Sequence, residues 1–195
     1  RGPARTETSR PAVTMAAITK RVEELPDKTQ SDVVLGWLGL PRTDPRFTRA
    51  QVANMVFAAD TFASRAGHVV RDELGLAYYV VSTIAGTQGQ GPWVVRMGVN
   101  PENVERAIAE TLTELRKIHN ADIAADDLAL ARDKLVGELD VALESPSGVA
   151  SMVLEAELFG LGDDHFERYP PELRAVTKAE AVATARGPRP PARCA

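Results

Sequence analysis

Residues 64–99 read SRAGHVVRDELGLAYYVVSTIAGTQGQGPWVVRMGV, a helix-forming run, a glycine, an apolar run, a glycine-rich loop and a second apolar run. The first run stops at Gly75, the residue type that takes the left-handed conformation after a helix, with Leu76 placed to pack back over the last turn. Residues 76–85 are rich in Tyr, Val, Thr and Ile, residues 86–92 supply the turn, and residues 93–99 make a second strand. That spacing predicts an antiparallel hairpin fed by a helix.

Working outward, the same logic fills the rest of the chain. Upstream, Val33, Leu35 and Trp37 fall on one face of an extended run and Val34, Leu38 and Leu40 on the other, with Pro41 ending it. Apolar residues on both faces predict a strand buried on both sides. Thr48 with Gln51 has the spacing of a capping box, and Val52, Met55, Val56 and Ala59 mark the helix behind it. Downstream, Asn100-Pro101-Glu102 opens a helix striped by Val104, Ile108, Leu112, Leu115 and Ile118. A second amphipathic helix runs through Leu128, Ala131, Leu135, Leu139 and Ala142, Ser145-Pro146 opens a third that ends at Gly160 or Gly162, and Thr177 with Glu180 caps a last one to about Arg186. The order predicts an α+β fold, helices packed on one face of an antiparallel sheet. In domain terms, residues 1–28 read as a linker with at most a short strand over 18–25, residues 29–186 as the domain, and residues 187–195, GPRPPARCA, as an irregular tail.

Composition bounds the function. The chain has 195 residues, 44% hydrophobic and 26% charged, enough to bury a core without disulfides. Twenty-three Lys+Arg against 27 Asp+Glu give a net charge of −4 with no basic block, which argues against a nucleic-acid partner. The one cysteine, Cys194, allows neither an internal disulfide nor a Cys-based zinc site. No apolar run reaches the roughly 18 residues of a membrane span. The chain opens on Arg1 without a signal-peptide pattern and reads as a fragment or processed piece. It is expected to be soluble, in the bacterial cytoplasm unless a segment ahead of Arg1 carries an address.

His68, His119 and His165 are isolated from one another, and neither HExxH nor HxxEH occurs, so no metal site is expected on this chain. Arg71, on the last helical turn, and Tyr78, early in the following strand, could project together from one end of the sheet as donors for peptide carbonyls or a developing oxyanion. The alternative is structural: Arg71 offsets the dipole of the helix end and Tyr78 is a half-buried strand residue with a wet hydroxyl.

Four stretches resemble one family: Asp27-Lys28-Thr29-Gln30, Phe62-Ala63-Ser64-Arg65, residues 70–78 reading VRDELGLAY, and residues 175–180 reading AVTKAE. Together they are similar to the C-terminal half of insulinase/pitrilysin-type zinc metallopeptidases, a family that includes the mitochondrial processing peptidase subunits. The resemblance spans residues 27 to about 186, and Arg71 with six residues before Tyr78 is its most specific piece. It departs at Ala59-Asp60, where family members usually carry Gly-Gly, at Ala66, where they carry Leu, and at the tail, where a closing strand is usual.

The resemblance implies one half of a clamshell. An N-terminal half carries HxxEH, the zinc and the base; the C-terminal half closes over the peptide and supplies Arg71 and Tyr78 as substrate-binding residues. The expectation is therefore a non-zinc, substrate-binding half of a metalloendopeptidase, inactive alone, with no cofactor of its own and zinc on its partner. Its partners are the HxxEH-bearing half and peptide substrate, with a dimer also possible. The alternative from another class is a non-catalytic structural or assembly subunit of the same fold.

Overall fold

The computed structural model describes residues 14–15 and 17–186. Its sheet has three antiparallel strands in the order β1-β3-β2: β1 is Ser31–Leu38, β2 Ala77–Ile84 and β3 Pro92–Val99. The expected hairpin is the β2–β3 pair, and β1 joins the far side of β3, with Trp37 opposite Trp93 and Ser31 opposite Val99. Helices α1 (Phe47–Phe57), α2 (Val104–His119), α3 (Ala125–Leu143), α4 (Pro146–Phe159), α5 (His165–Ala175) and α6 (Lys178–Ala185) make up the rest, with a π-helix over Gly67–Glu73 and one 3-10 turn, Pro101–Asn103, leading into α2.

The helical layer covers one face of the sheet. Val80, Val95, Met97 and Val99 are fully buried beneath it, while Val34, on the other face, is 62% exposed. β1 is therefore not buried on both sides as its composition predicts: Val33, Leu35 and Trp37 pack on the core, and Val34 faces away from it. α1 lies in the middle of the helical layer, buried from Val52 through Phe57. Asn54 anchors it to the sheet, donating from Nδ2 to the Ser82 carbonyl at 2.9 Å and accepting from Trp93 Nε1 at 2.9 Å. This pairing lets a buried amide and a buried indole N–H satisfy each other inside the core.

Helix ends follow local chemistry in most places. Ser145 caps α4 through Gly148, and the helix closes on Gly160 at φ 60°. Thr177 and Glu180 form the expected capping box of α6. The box expected at Thr48 does not form. Asp44 does that work instead, accepting the Phe47 N–H on its carbonyl and the Arg46 N–H on its carboxylate, while Gln51 accepts from the Tyr169 hydroxyl at 3.0 Å. The strand considered for 18–25 is absent: that stretch is exposed and forms no ladder. The tail 187–195 and Cys194 lie outside the described residues. Helix α5 has no counterpart in the sequence reading because Pro170 and Pro171 stand inside it.

Arg42 joins the outer pieces. Only 7% exposed, it ion-pairs through Nε with Glu155 of α4 at 2.5 Å, lies 3.3 Å from His165 Nε2 of α5, and stacks 4.8 Å from the Phe47 ring centroid. No residue of α4 is buried, and this ion pair ties that helix to the domain beside its contacts with α3.

Candidate functional site

The site begins at the loop between α1 and the π-helix. Asp60 accepts from the backbone N–H groups of Phe62 (2.7 Å) and Ala63 (2.9 Å) and pairs with Lys134 of α3 at 2.7 Å. Lys134 and the two backbone donors hold its carboxyl below the ordinary carboxylate range, against the opposing effect of burial. Where family members carry Gly-Gly, this chain thus has an aspartate with a defined job. Thr61 Oγ1 donates to the Val80 carbonyl at 3.1 Å, pinning the loop to β2.

Ser64 and Arg65, half of the motif Phe62-Ala63-Ser64-Arg65, are structural. Ser64 Oγ donates to the Asp60 carbonyl, and Arg65 reaches the carbonyl of Asp122 and the carboxylate of Glu114 at 3.2 Å. Glu114 is 1% exposed and is held from its other side by Lys117 at 2.6 Å, so the buried carboxylate has a cation on each oxygen. Ala66 is fully buried, and the helix it opens is π-helical over Gly67–Glu73 rather than the ordinary helix the sequence suggests. Such wide turns are frequent at functional sites.

Gly75, at φ 61°, reverses the chain. Its N–H donates to the Arg71 carbonyl at 3.1 Å and the Leu76 N–H to the Val70 carbonyl at 2.9 Å, so β2 sets off back past the helix that led into it. This reversal brings Arg71 and Tyr78 together: Arg71 Nε donates to the Tyr78 backbone carbonyl at 2.9 Å. Register in the β2–β3 pair shifts between Ala77, opposite Val99, and Tyr79, opposite Gly98, leaving Tyr78 as the extra residue of a bulge. The bulge breaks the two-residue alternation, so the direction of Tyr78 is not set by parity with Tyr79.

Tyr78 is 67% exposed, not half-buried. Among the described residues its hydroxyl has no hydrogen-bond partner, whereas the neighbouring Tyr79 hydroxyl donates to Asp32 at 3.3 Å across the outer face of the sheet. Arg71 Nη1 binds the Asp72 carboxylate, and no acceptor among the described residues engages Nη2. The guanidinium also lies 4.7 Å from the centroid of the Phe62 ring, itself 75% exposed. The result is a guanidinium edge, a phenol and an exposed ring at one end of the sheet, able to donate to a peptide carbonyl or an oxyanion.

Phe62 and Asp60 are the members to which sequence reasoning assigns no part in the site. Asp60 enters it only as a departure from the resemblance, although it stands just ahead of a helix-forming run, a position where Asp commonly caps; Phe62 enters it only as the first residue of the stretch Phe62-Ala63-Ser64-Arg65, with no role of its own.

Of the histidines, His68 shares the π-helix with Arg71 and lies beside Glu73, whereas His119 is at the end of α2 and His165 at the start of α5. Among the described residues, no group of three or more His, Cys, Asp or Glu is placed to hold a metal ion. Asp164, from the run Asp163-Asp164-His165, pairs with Arg168 at 2.7 Å. Among the described residues, no helix is long and apolar enough to cross a membrane.

Residues 2–135 match the sequence pattern of a family described as the peptidase M16 inactive domain. The chain is 31% identical over 139 residues to an uncharacterized zinc protease of Streptomyces coelicolor, an alignment covering 71% of this chain and 30% of that protein. It thus spans about a third of the curated relative it matches. Among solved structures, it resembles a peptidase M16 inactive domain from Pseudomonas fluorescens with a TM-score of 0.73 at 20% identity, covering 80% of this chain and 37% of that one. It resembles a protease from Helicobacter pylori with a TM-score of 0.75 at 16% identity, covering 83% and 39%. Both likenesses speak to the fold: an α+β domain with helices on one face of its sheet.

Proposed function

The chain belongs to the peptidase M16 family, the insulinase/pitrilysin-type zinc metallopeptidases, as an inactive domain, and from that premise we propose that it is the substrate-binding half of a zinc metalloendopeptidase. An HxxEH-bearing half, in the same chain or a separate subunit, holds the zinc. Residues 29–186 form the domain that closes over the peptide, and Arg71 and Tyr78 donate hydrogen bonds to its backbone or to the tetrahedral intermediate. One observation carries the reading: Arg71 is pinned through Nε to the Tyr78 carbonyl, its Nη2 meets no acceptor among the described residues, and Tyr78 beside it is 67% exposed.

A non-catalytic assembly role rests on a different observation. Val149, Val153, Leu154 and Leu158 of α4, with Val141 and Leu143 of α3, are exposed apolar side chains on adjoining helices, the kind of surface that docks other protein. Reconstitution separates the two. When this chain is produced with the HxxEH-bearing half of its own protein, a quenched fluorescent peptide should be cleaved only in the presence of both. Equal cleavage by the HxxEH half alone would overturn the peptidase role.

A further inference from the structure

We infer that Phe62 is a specificity-determining residue, a rigid apolar platform that selects a large apolar side chain on the peptide within about two residues of the one anchored by Arg71 and Tyr78. The inference rests on the proposed peptidase reading and adds a substrate class to it.

Three observations converge on this ring. First, it is 75% exposed, the most exposed of the large apolar side chains among the described residues. Second, the backbone that presents it is fixed on both sides. Asp60 takes the N–H of Phe62 itself and of Ala63, Lys134 holds Asp60, Thr61 is bonded to β2, and Ser64 is bonded back to Asp60. A loop built this firmly does not leave a phenyl ring in water through slackness; the frame imposes its outward direction. Third, the ring touches the anchor: the Arg71 guanidinium lies 4.7 Å from its centroid, in the range of a cation–π contact.

The geometry fixes which part of a peptide it can meet. An extended chain advances about 3.3 Å per residue and points successive side chains to opposite sides. With a backbone carbonyl on the Arg71 edge, a ring 4.7 Å from that guanidinium is within reach of a side chain one or two residues away. The guanidinium covers part of the ring and the rest is open, so the contact offered is apolar and favours Leu, Met or Phe over a polar residue of similar size.

The test uses the complex of this chain with its HxxEH-bearing half and a set of quenched fluorescent peptides that differ only in Leu or Gln at single positions around the cleaved bond. The wild-type complex should prefer Leu by about tenfold in kcat/KM at one position. Phe62→Ala should reduce that preference to within about twofold by slowing the Leu peptide and sparing the Gln peptide. Arg71→Lys should slow both peptides and keep the preference. The inference is overturned if the preference survives Phe62→Ala, or if Phe62→Ala slows both peptides by the same factor, the result expected were the ring merely supporting Arg71. It fails alone if Arg71→Lys and Tyr78→Phe impair turnover while the Phe62→Ala preference is unchanged. It fails together with the anchor reading if neither anchor variant matters or if no peptide is cleaved.

Discussion

At Gly67 a Cβ would stand 1.9 Å from the Thr61 carbonyl oxygen and 2.6 Å from its carbonyl carbon. The obstruction is backbone, so no rotamer change relieves it, and the loop holding Phe62 would have to move away from the π-helix holding Arg71. Gly67→Ala should destabilise the domain by about 1–3 kcal/mol, the usual range for overpacking. A lower urea midpoint at unchanged slope checks this, and an unchanged midpoint would mean the two segments are not in the contact described. At this scale the meeting of Arg71 and Tyr78 was legible in the sequence and the contacts that place their neighbours were not. Arg71, Gly75 and Tyr78 are close in the chain, and the left-handed glycine that reverses it is a local rule. Phe62 and Asp60 acquire their places from Lys134 and from β2, contacts distant in sequence that no local pattern encodes.

Two helix ends carry histidines whose environments work against their charged forms. His119 lies within hydrogen-bond reach of the Ala185 carbonyl, 2.9 Å from Nε2, at the meeting of α2 and α6; burial pushes its pKa down, and the nearby Arg186 adds to that. His165 opens α5 and is also pushed down, by burial first and then by the charges of Arg42 and Arg168. In both cases the unfolded chain takes up a proton near the ordinary value of 6.5 while the folded chain does not. Stability is therefore full above that value and falls as pH drops below it. The aspartates and glutamate with lowered pKa, Asp44, Asp60, Asp164 and Glu180, push the same way only below their ordinary values of 3.8 and 4.5. Urea midpoints should thus fall between about pH 7.5 and about pH 5.5, and His119→Gln with His165→Gln should flatten that fall. An equal slope in the double variant would assign the pH dependence elsewhere.

The helices and strands themselves were readable wherever period and cap agreed, as at Ser145 and Thr177. They were unreadable where a long-range contact overrode a local rule. α5 keeps its helix through Pro170-Pro171, although neither proline can donate to a preceding carbonyl, because Tyr169 bonds α1 and Leu173 is fully buried. The capping box at Thr48 lost to Asp44, and the two-faced appearance of β1 lost to a helical layer that covers only one side of the sheet.

As a whole, the described residues present one packed face of the sheet and one open one. Helices cover the inner face of the sheet; the outer face, the exposed ends of Arg71 and Tyr78 and the apolar surface of α4 are left for something else to meet. In the proposed reading that something is peptide and the HxxEH-bearing half, and the two anchor side chains act in the transition state rather than in folding. The decisive experiment is the steady-state kinetics of the complex carrying Tyr78→Phe or Arg71→Lys beside Arg116→Lys, a control at an exposed position of α2 in the helical layer. Tyr78→Phe removes one hydroxyl donor from a solvent-exposed ring, and Arg71→Lys keeps the charge and loses the planar fork. Each should lower kcat/KM by about two to three orders of magnitude, roughly 2.7–4 kcal/mol, with thermal stability unchanged. If both match the control within about threefold, well short of the roughly 1.4 kcal/mol in a factor of ten, Arg71 and Tyr78 are not the substrate anchor.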